Sequence, residues 1–306
     1  MVSPKRFFSE LDKRLASYLM PLQPGTQLLS ARDLAEQFGV SLGSVSTTLN
    51  LIEEMGAITL NRRGRLGSFL ESKSIGKLWS IVASRPMVIA LTLPSYPKGE
   101  GLATAIYSLL NNAGVETYLI FIRGSFNRIN ALKTGLCHAV VVSALTADSL
   151  DLPETKAILR LPPQTFVTDH RVFFRNQQPP EGRPLVVGID YDSFDVKYIT
   201  ELEFADREVE FQQIPYTLSD LNLERSSVDA AISDADHLER LHSKEATSRP
   251  LSPKVQALLG GRDTIAVMLV NAHDVATQVV LTDILRPDAI QEIQENVVSG
   301  RAVPRY

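Results

Sequence analysis

Apolar residues first recur at helical spacing at Phe8, Leu11, Leu15 and Tyr18, which predicts a helix over about 5–18 that covers a small core. A second stripe, Leu34, Ala35 and Phe38, follows Ser30, which stands three residues ahead of Asp33 in the spacing of a capping box. Gly39 then supplies the left-handed residue that ends a helix. Ser41 is a second N-cap, Val45, Leu49 and Ile52 form a third stripe, and Gly56 closes it, with Ser44, Ser46, Thr47 and Asn50 on the other faces. Residues 57–60, 61–65 and 66–70 read as strand, basic turn and strand. Helix, tight turn, helix and hairpin make a winged helix-turn-helix, and its partner is duplex DNA.

The connector over 71–85 carries Ile75, Leu78, Trp79 and Val82 on one stripe, which suits either packing against a neighbouring domain or a linker helix that dimerises the protein. From Pro86 the period changes. A continuous apolar run over 87–93 reads as a strand covered on both faces, followed by helix 100–112, strand 116–122, helix 127–133 and strand 139–143. The alternation restarts as strand 185–190, helix 194–203, strand 209–213, helix 218–224 and strand 228–233. This α/β order predicts parallel sheets in two lobes. Residues 165–175 then read as the crossover, 265–270 as a strand returning to the first lobe, and 275–285 and 287–298 as closing helices. The expected layout is a DNA-binding domain over 1–72, a linker over 73–85 and a two-lobed domain over 86–306. Its lobes fall at about 86–165 with 265–306, and at 176–260.

The run Leu-Ser-Ala-Arg-Asp-Leu-Ala-Glu-Gln-Phe-Gly-Val-Ser over 29–41, with Leu-Asn-Leu-Ile-Glu-Glu-Met-Gly-Ala-Ile over 49–58 and Gly-Arg-Leu-Gly-Ser-Phe over 64–69, resembles the DNA-binding domain of GntR-type transcription regulators. That resemblance implies DNA contacts from Arg32, from Ser41 and Ser44 at the start of the recognition helix, and from Gly67 in the wing. One departure stands out. Leu42 and Ser46 occupy positions where many relatives carry Arg, which removes the commonest bidentate reader of guanine. Ser30, Ser44, Ser46, Thr47 and Asn50 can still bond base edges or phosphates, and Arg62, Arg63 and Arg65 can enter a minor groove or grip the backbone.

The element order over 86–298 resembles the type-II periplasmic-binding-protein fold, which bacterial regulators use as an effector sensor. Taken whole, the chain resembles the YhfZ family of transcription regulators, which implies a regulator and names no effector. In such a fold the ligand belongs beyond the carboxyl ends of the strands. That rule selects Ser95, Tyr96, Arg123, Ser125, Phe126, Ser143, Tyr191, Asp192 and Ser193. Helix starts after Gly101 and Ser193 would offer amides to an anion, with Arg123 as its bidentate partner.

Charge sharpens the division. The net charge of −4 over 306 residues hides a surplus of four basic residues up to Arg85, eleven against seven, and an acidic excess of eight thereafter, twenty against twenty-eight. The basic footprint is local and modest, which favours a homodimer on DNA. Cys137 is the only cysteine, so a disulfide framework is excluded and a reducing cytoplasm is expected, with Cys137 itself a buried apolar side chain. Glu10, Asp12, Lys13 and Arg14 break the apolar stretch near the start, so no signal peptide or membrane partner is expected.

No GxGxxG, Walker loop or G-x-S-x-G occurs. Asp234, Asp236, His237, Glu239 and His242 cluster, but on a helix His237 and His242 project differently. Asp190 and Asp192 share one side of a strand end, where a cation would suit them. The expectation is therefore no catalytic residue, no metal and no cofactor. The chain reads as a cytoplasmic regulator that senses a small molecule, with an anion suited to Arg123. The competing readings are a binding protein or enzyme whose winged helix only dimerises it, and a regulator whose second domain holds no ligand.

Overall fold

The computed structural model describes residues 7–83, 85–176, 182–215, 228–238 and 247–306. By their contacts they form two compact units, one holding the chain up to Met87 with 109–117 and 274–284, the other the remainder.

In the first unit Ser9 and Asp12 form a reciprocal capping box that starts α1 (Glu10–Leu19), four residues or so later than the apolar spacing alone suggests. Ser30 and Asp33 do the same for α2 (Ala31–Phe38), which ends on left-handed Gly39. Ser41 caps α3 (Leu42–Glu54), and β1 (Ile58–Arg62) pairs antiparallel with β2 (Ser68–Lys73). Asn61 and Arg62 thus belong to the strand, and the turn is confined to 63–67. Leu15, Leu19, Leu34, Val45, Ile52, Leu60 and Leu70 are buried between these elements. Thr48 and Asp12 are bonded to each other within that core at 3.1 Å.

The connector is a helix, α4 (Ile75–Val82), with Ile75, Leu78, Trp79 and Ile81 buried. It packs on α1 and on the later helix Val275–Ile284. Gly76 lies against the chain at 113–114 so closely that a Cβ would come within 2.1 Å of the Ala113 carbonyl oxygen. The apolar stripe is therefore covered by the chain itself. This removes the exposed surface on which a dimerising role for it rested.

The remaining elements build two lobes. The first contains β3 (Met87–Leu91), α5 (Pro97–Asn112), β4 (Thr117–Phe121), α6 (Ser125–Lys133), β5 (Ala139–Ser143), α7 (Ala144–Ser149) and β6 (Thr155–Arg160). The chain crosses into the second lobe at β7 (His170–Phe174), which is followed by β8 (Leu185–Ile189), α8 (Phe194–Glu203), β9 (Val209–Gln213), β10 (Ala230–Asp234), α9 (Ala235–Leu238), β11 (Thr247–Pro250) and α10 (Pro253–Leu259). It returns at β12 (Ala266–Asn271), followed by α11 (Val275–Ile284), which belongs to the first unit, and by α12 (Pro287–Val298). The helix expected over 218–224 lies outside the described residues.

Among the described residues the lobes hold two five-stranded sheets, ordered β4-β3-β5-β12-β6 and β9-β8-β10-β7-β11. These orders correspond: second, first and third strand, then the strand arriving from the other lobe, then an edge. The arriving strands run backwards. β12 is antiparallel to β5 and β6, and β7 is antiparallel to β10 and β11, so the sheets are mixed and not purely parallel. Part of the stretch read as a crossover is accordingly β7, paired in register from His170 to Phe174. This is the strand plan of the type-II periplasmic-binding-protein fold. The first core gathers Ala90, Ile129, Leu132, Cys137, Val140, Val142, Val267 and Leu269; the second gathers Val172, Val187, Ile199, Phe204 and Ile232, joined by Leu145 from α7 of the first lobe.

Candidate functional site

Two surfaces gather the chemistry that the sequence singles out. On the winged helix, Arg32, Ser41, Ser44, Ser46, Thr47, Asn50, Arg62, Arg63 and Arg65 are all exposed. Val45, Thr48 and Ile52 turn inward and carry the buried face of α3, so its polar residues are left outward by the same periodicity.

Several of those groups are already engaged. The Ser30 hydroxyl serves Asp33, and the Ser41 hydroxyl accepts from the Ser44 amide and meets the Ser44 hydroxyl at 2.8 Å. Arg62 donates to Asn50 Oδ1 at 3.0 Å and pairs with Glu53 at 2.7 Å. Burial would raise the Glu53 carboxyl, but Arg62 and the Leu60 amide hold it below the ordinary range. Arg63 stacks on Phe69, 4.7 Å from its ring centre, whereas Arg32 and Arg65 stand out into solvent. Gly67 has φ +86°, and a Cβ there would lie 3.1 Å from Gln27 Nε2, so the wing turn needs glycine for its shape.

The second surface is the crevice between the lobes, where a cavity of about 30 Å³ is lined by Thr92, Tyr96, Arg123, Gly124, Arg128, Phe166, Val167, His170, Asp190, Ser193, Asp195 and Val196. Such a space holds a water or two. Of the nine residues expected at a ligand, Tyr96, Arg123 and Ser193 reach it. The others stand at the strand ends as the topology requires, but they are turned to different uses.

Ser125 is buried and accepts from the Phe194 amide at 2.8 Å, Phe126 packs edge-on against the Phe194 ring, and Ser143 caps α7 while donating to Asp195 at 2.7 Å. Asp192 pairs with Arg123; Tyr191 is 47% exposed, with its amide on Gln213; Ser95 is half-buried away from the cavity. The reason is common to most of them. Residues at facing strand ends meet each other once the lobes close, so groups suited to a ligand are consumed as contacts between lobes. Gly124 makes this literal, since a Cβ there would lie 2.5 Å from the Asp192 carbonyl oxygen.

Arg123 is the centre of that closure. It reaches across from the first lobe to Asp190 at 3.2 Å and Asp192 at 2.7 Å. Those two carboxylates therefore face a guanidinium rather than a cation site of their own. Gly101 offers no helix start, because α5 begins at Pro97. Deeper in, Arg128 is buried with Nε on the Val141 carbonyl and Nη1 on the Ile122 carbonyl, both at 2.9 Å. Burial pulls it down only to about 10, so it stays charged at neutral pH.

Asp195 accepts from Ser143 and Thr146, yet burial outweighs them and raises its carboxyl. His170, at the start of β7, is bonded at 2.8 Å to Asp263 in the turn that leads into β12. Burial opposes the His170 charge, but Asp263 more than restores it and holds the ring above its ordinary value. Asp234, at the end of β10, is buried, its Oδ2 meets no hydrogen-bond partner among the described residues, and burial pushes it up to about 7. The Ser143 hydroxyl goes to Asp195 and the His170 ring to Asp263, so they do not form a serine–histidine pair.

Thr92, Arg128, Phe166, Val167, His170, Asp195 and Val196 escaped the sequence reading. Asp195 and Val196 were within reach, one turn into the helix that follows the chosen Ser193. Arg128 was hidden because an Arg on an amphipathic helix reads as solvated, and His170 because its strand read as a crossover. Glu239 and His242 lie outside the described residues; among the described residues no three His, Cys, Asp or Glu are arranged to hold a metal ion. No described helix is long and apolar enough to cross a membrane.

Comparison with known proteins matches the chain in two stretches. A model of a helix-turn-helix domain matches residues 23–70, and a model of the YhfZ C-terminal domain matches 75–306. The uncharacterized protein YhfZ of Escherichia coli (strain K12) is 30% identical over 293 residues, 95% of each chain. The crystal structure of YhfZ from Shigella flexneri, also 30% identical, superposes with a TM-score of 0.60 over 76% of this chain and 98% of that one. A structure from Bordetella bronchiseptica RB50, 13% identical, shares the fold with a TM-score of 0.51 over 68% of this chain and 70% of its own. A winged helix-turn-helix followed by a two-lobed domain matched along its whole length places the chain in the YhfZ family.

Proposed function

We propose that this chain is a cytoplasmic, homodimeric transcription regulator of GntR-like DNA-binding type, whose two-lobed domain binds a small anion and thereby alters operator affinity. The observation that carries the sensing half is Arg123, one guanidinium shared by two carboxylates of the opposite lobe. A carboxylate or phosphate offers the same oxygens and competes for the same fork. Exchange of Asp190 and Asp192 for such an anion would release the lobes from each other. The equilibrium then shifts by the anion's differential affinity for the open and closed arrangements. Arg123 is already paired with Asp190 and Asp192, and this is the contact that an anion would replace. DNA recognition rests on the exposed α3 and wing and on the local basic surplus. A modest surplus per chain is doubled by a dimer on neighbouring half-sites.

The test is selection of bound genomic fragments by the purified chain, with Arg32→Ala alongside and at several salt concentrations. A selected site whose affinity falls by several log units per log unit of salt, and which the variant loses, supports the regulator. Carboxylates and phosphates are then titrated against that site; affinity that moves in the wild type and not in Arg123→Ala supports the sensor. A second reading is favoured by the small cavity: a domain closed on its own side chains that serves assembly alone. It predicts that no anion shifts either operator affinity or melting temperature.

A further inference from the structure

The recognition helix α3 begins with an apolar side chain in water. Leu42, its first residue, is 55% exposed, while Val45, Thr48 and Ile52 form the buried face without it. Its polar neighbours are largely committed: Ser41 and Ser44 to each other, and Asn50 to Arg62, which is itself held by Glu53. Ser46, one turn on from Leu42, and Thr47 remain exposed. Next to Leu42 stands Gly43, where an added Cβ would meet only Ser41 Oγ at an ordinary 3.8 Å. The fold therefore does not require glycine there, and glycine inside a helix is disfavoured relative to alanine. Its missing side chain leaves the backbone beside Leu42 open to close approach.

We propose that Leu42 is a specificity-determining residue that packs its isobutyl group on the C5-methyl of a thymine in the major groove. In that groove thymine alone presents a methyl group, and apolar side chains are the ones that read it. The inference rests on the DNA-binding reading above. It adds that the head of α3 reads by an apolar contact, so each half-site carries a fixed thymine under Leu42.

The experiment uses the full chain and the duplex it selects. Each thymine is replaced in turn by deoxyuridine, which removes the methyl and nothing else. One position per half-site is expected to lose about fourfold in affinity, the worth of about one buried methyl group. In Leu42→Ala that position should become indifferent to the change, and in Leu42→Met it should stay sensitive, with neither variant altering the melting temperature. Tolerance of deoxyuridine at every position, or an equal loss in Leu42→Ala, overturns the assignment while leaving DNA binding intact. Failure to select any duplex overturns the DNA-binding reading and this inference with it.

Discussion

The head of α3 with its wing, and the crevice between the lobes, are both rich in arginine and polar hydroxyls, yet they use them oppositely. On the winged helix the side chains come from one short stretch and most face water; in the crevice they come from Thr92 to Val196 and are paired across the fold. Arg32 is exposed, whereas Arg128 is 2% exposed and bonded to two carbonyls. The contrast teaches that the same residue type is an instrument for a partner in one place and a structural element in the other. Pairing, not identity, decides which.

The sharpest way to break the comparison is to remove one arginine from each region. Arg128→Ala should lower the unfolding free energy by about 3 kcal/mol, because it strands the Val141 and Ile122 carbonyls and removes one of the positive charges, with His170, that act on Asp195. Arg32→Ala should stay within about 0.5 kcal/mol of wild type. Urea denaturation of the full chain measures both. Equal losses would mean that the crevice arginine is no more structural than the surface one.

A second test uses pH, to which the crevice should respond and the winged helix should not. Asp234, raised to about 7, opposes folding when it ionises, so its contribution worsens as pH climbs from the ordinary carboxylate range through 7. His170, held above its ordinary value by Asp263, stabilises when protonated, and that contribution also fades as pH rises through its folded value. The signs agree: stability should fall from pH 5.5 to pH 8, with Asp234 accounting for a loss on the order of 2 kcal/mol. Asp234→Asn should flatten the profile and stabilise the protein at pH 8. A profile unchanged by that substitution would remove Asp234 from the account.

These predictions also mark what could be read from the chain. Ser30, Gly39, Ser41 and Gly56 punctuate helices through bonds within a few residues, so the winged helix could be built from local chemistry alone. The two lobes and their α/β alternation were legible in the apolar runs, but the order of the strands was not. Nor was the antiparallel direction of β7 and β12, since a buried apolar strand has the same sequence signature in either direction. For the site, the rule of strand ends found Arg123, Tyr96 and Ser193, but burial and pairing of Arg128, His170 and Asp195 depend on partners such as Val141, Asp263 and Ser143, which only the fold brings close.

On DNA the order of effects should follow exposure. Arg32→Ala should weaken operator binding about tenfold, roughly 1.4 kcal/mol, without changing the melting temperature. Loss of binding that tracks loss of fold would place Arg32 among the structural residues instead.

The smallest effect probes the one place where the winged helix behaves like the crevice. Arg62 is held by Glu53 at 2.7 Å and by Asn50 at 3.0 Å, so its charge is partly answered before DNA arrives. An exposed ion pair of this kind is worth about 0–1 kcal/mol, little enough for a phosphate to compete. Glu53→Gln keeps a carbonyl oxygen for the Leu60 amide but withdraws the negative charge from beside Arg62. Operator affinity should rise about twofold to threefold, and the salt dependence should steepen by up to about one phosphate contact. Measured against Arg62→Ala, which should reverse the gain, this variant separates an arginine awaiting a partner from one that has its own. An unchanged salt slope in Glu53→Gln would assign Arg62 to the fold.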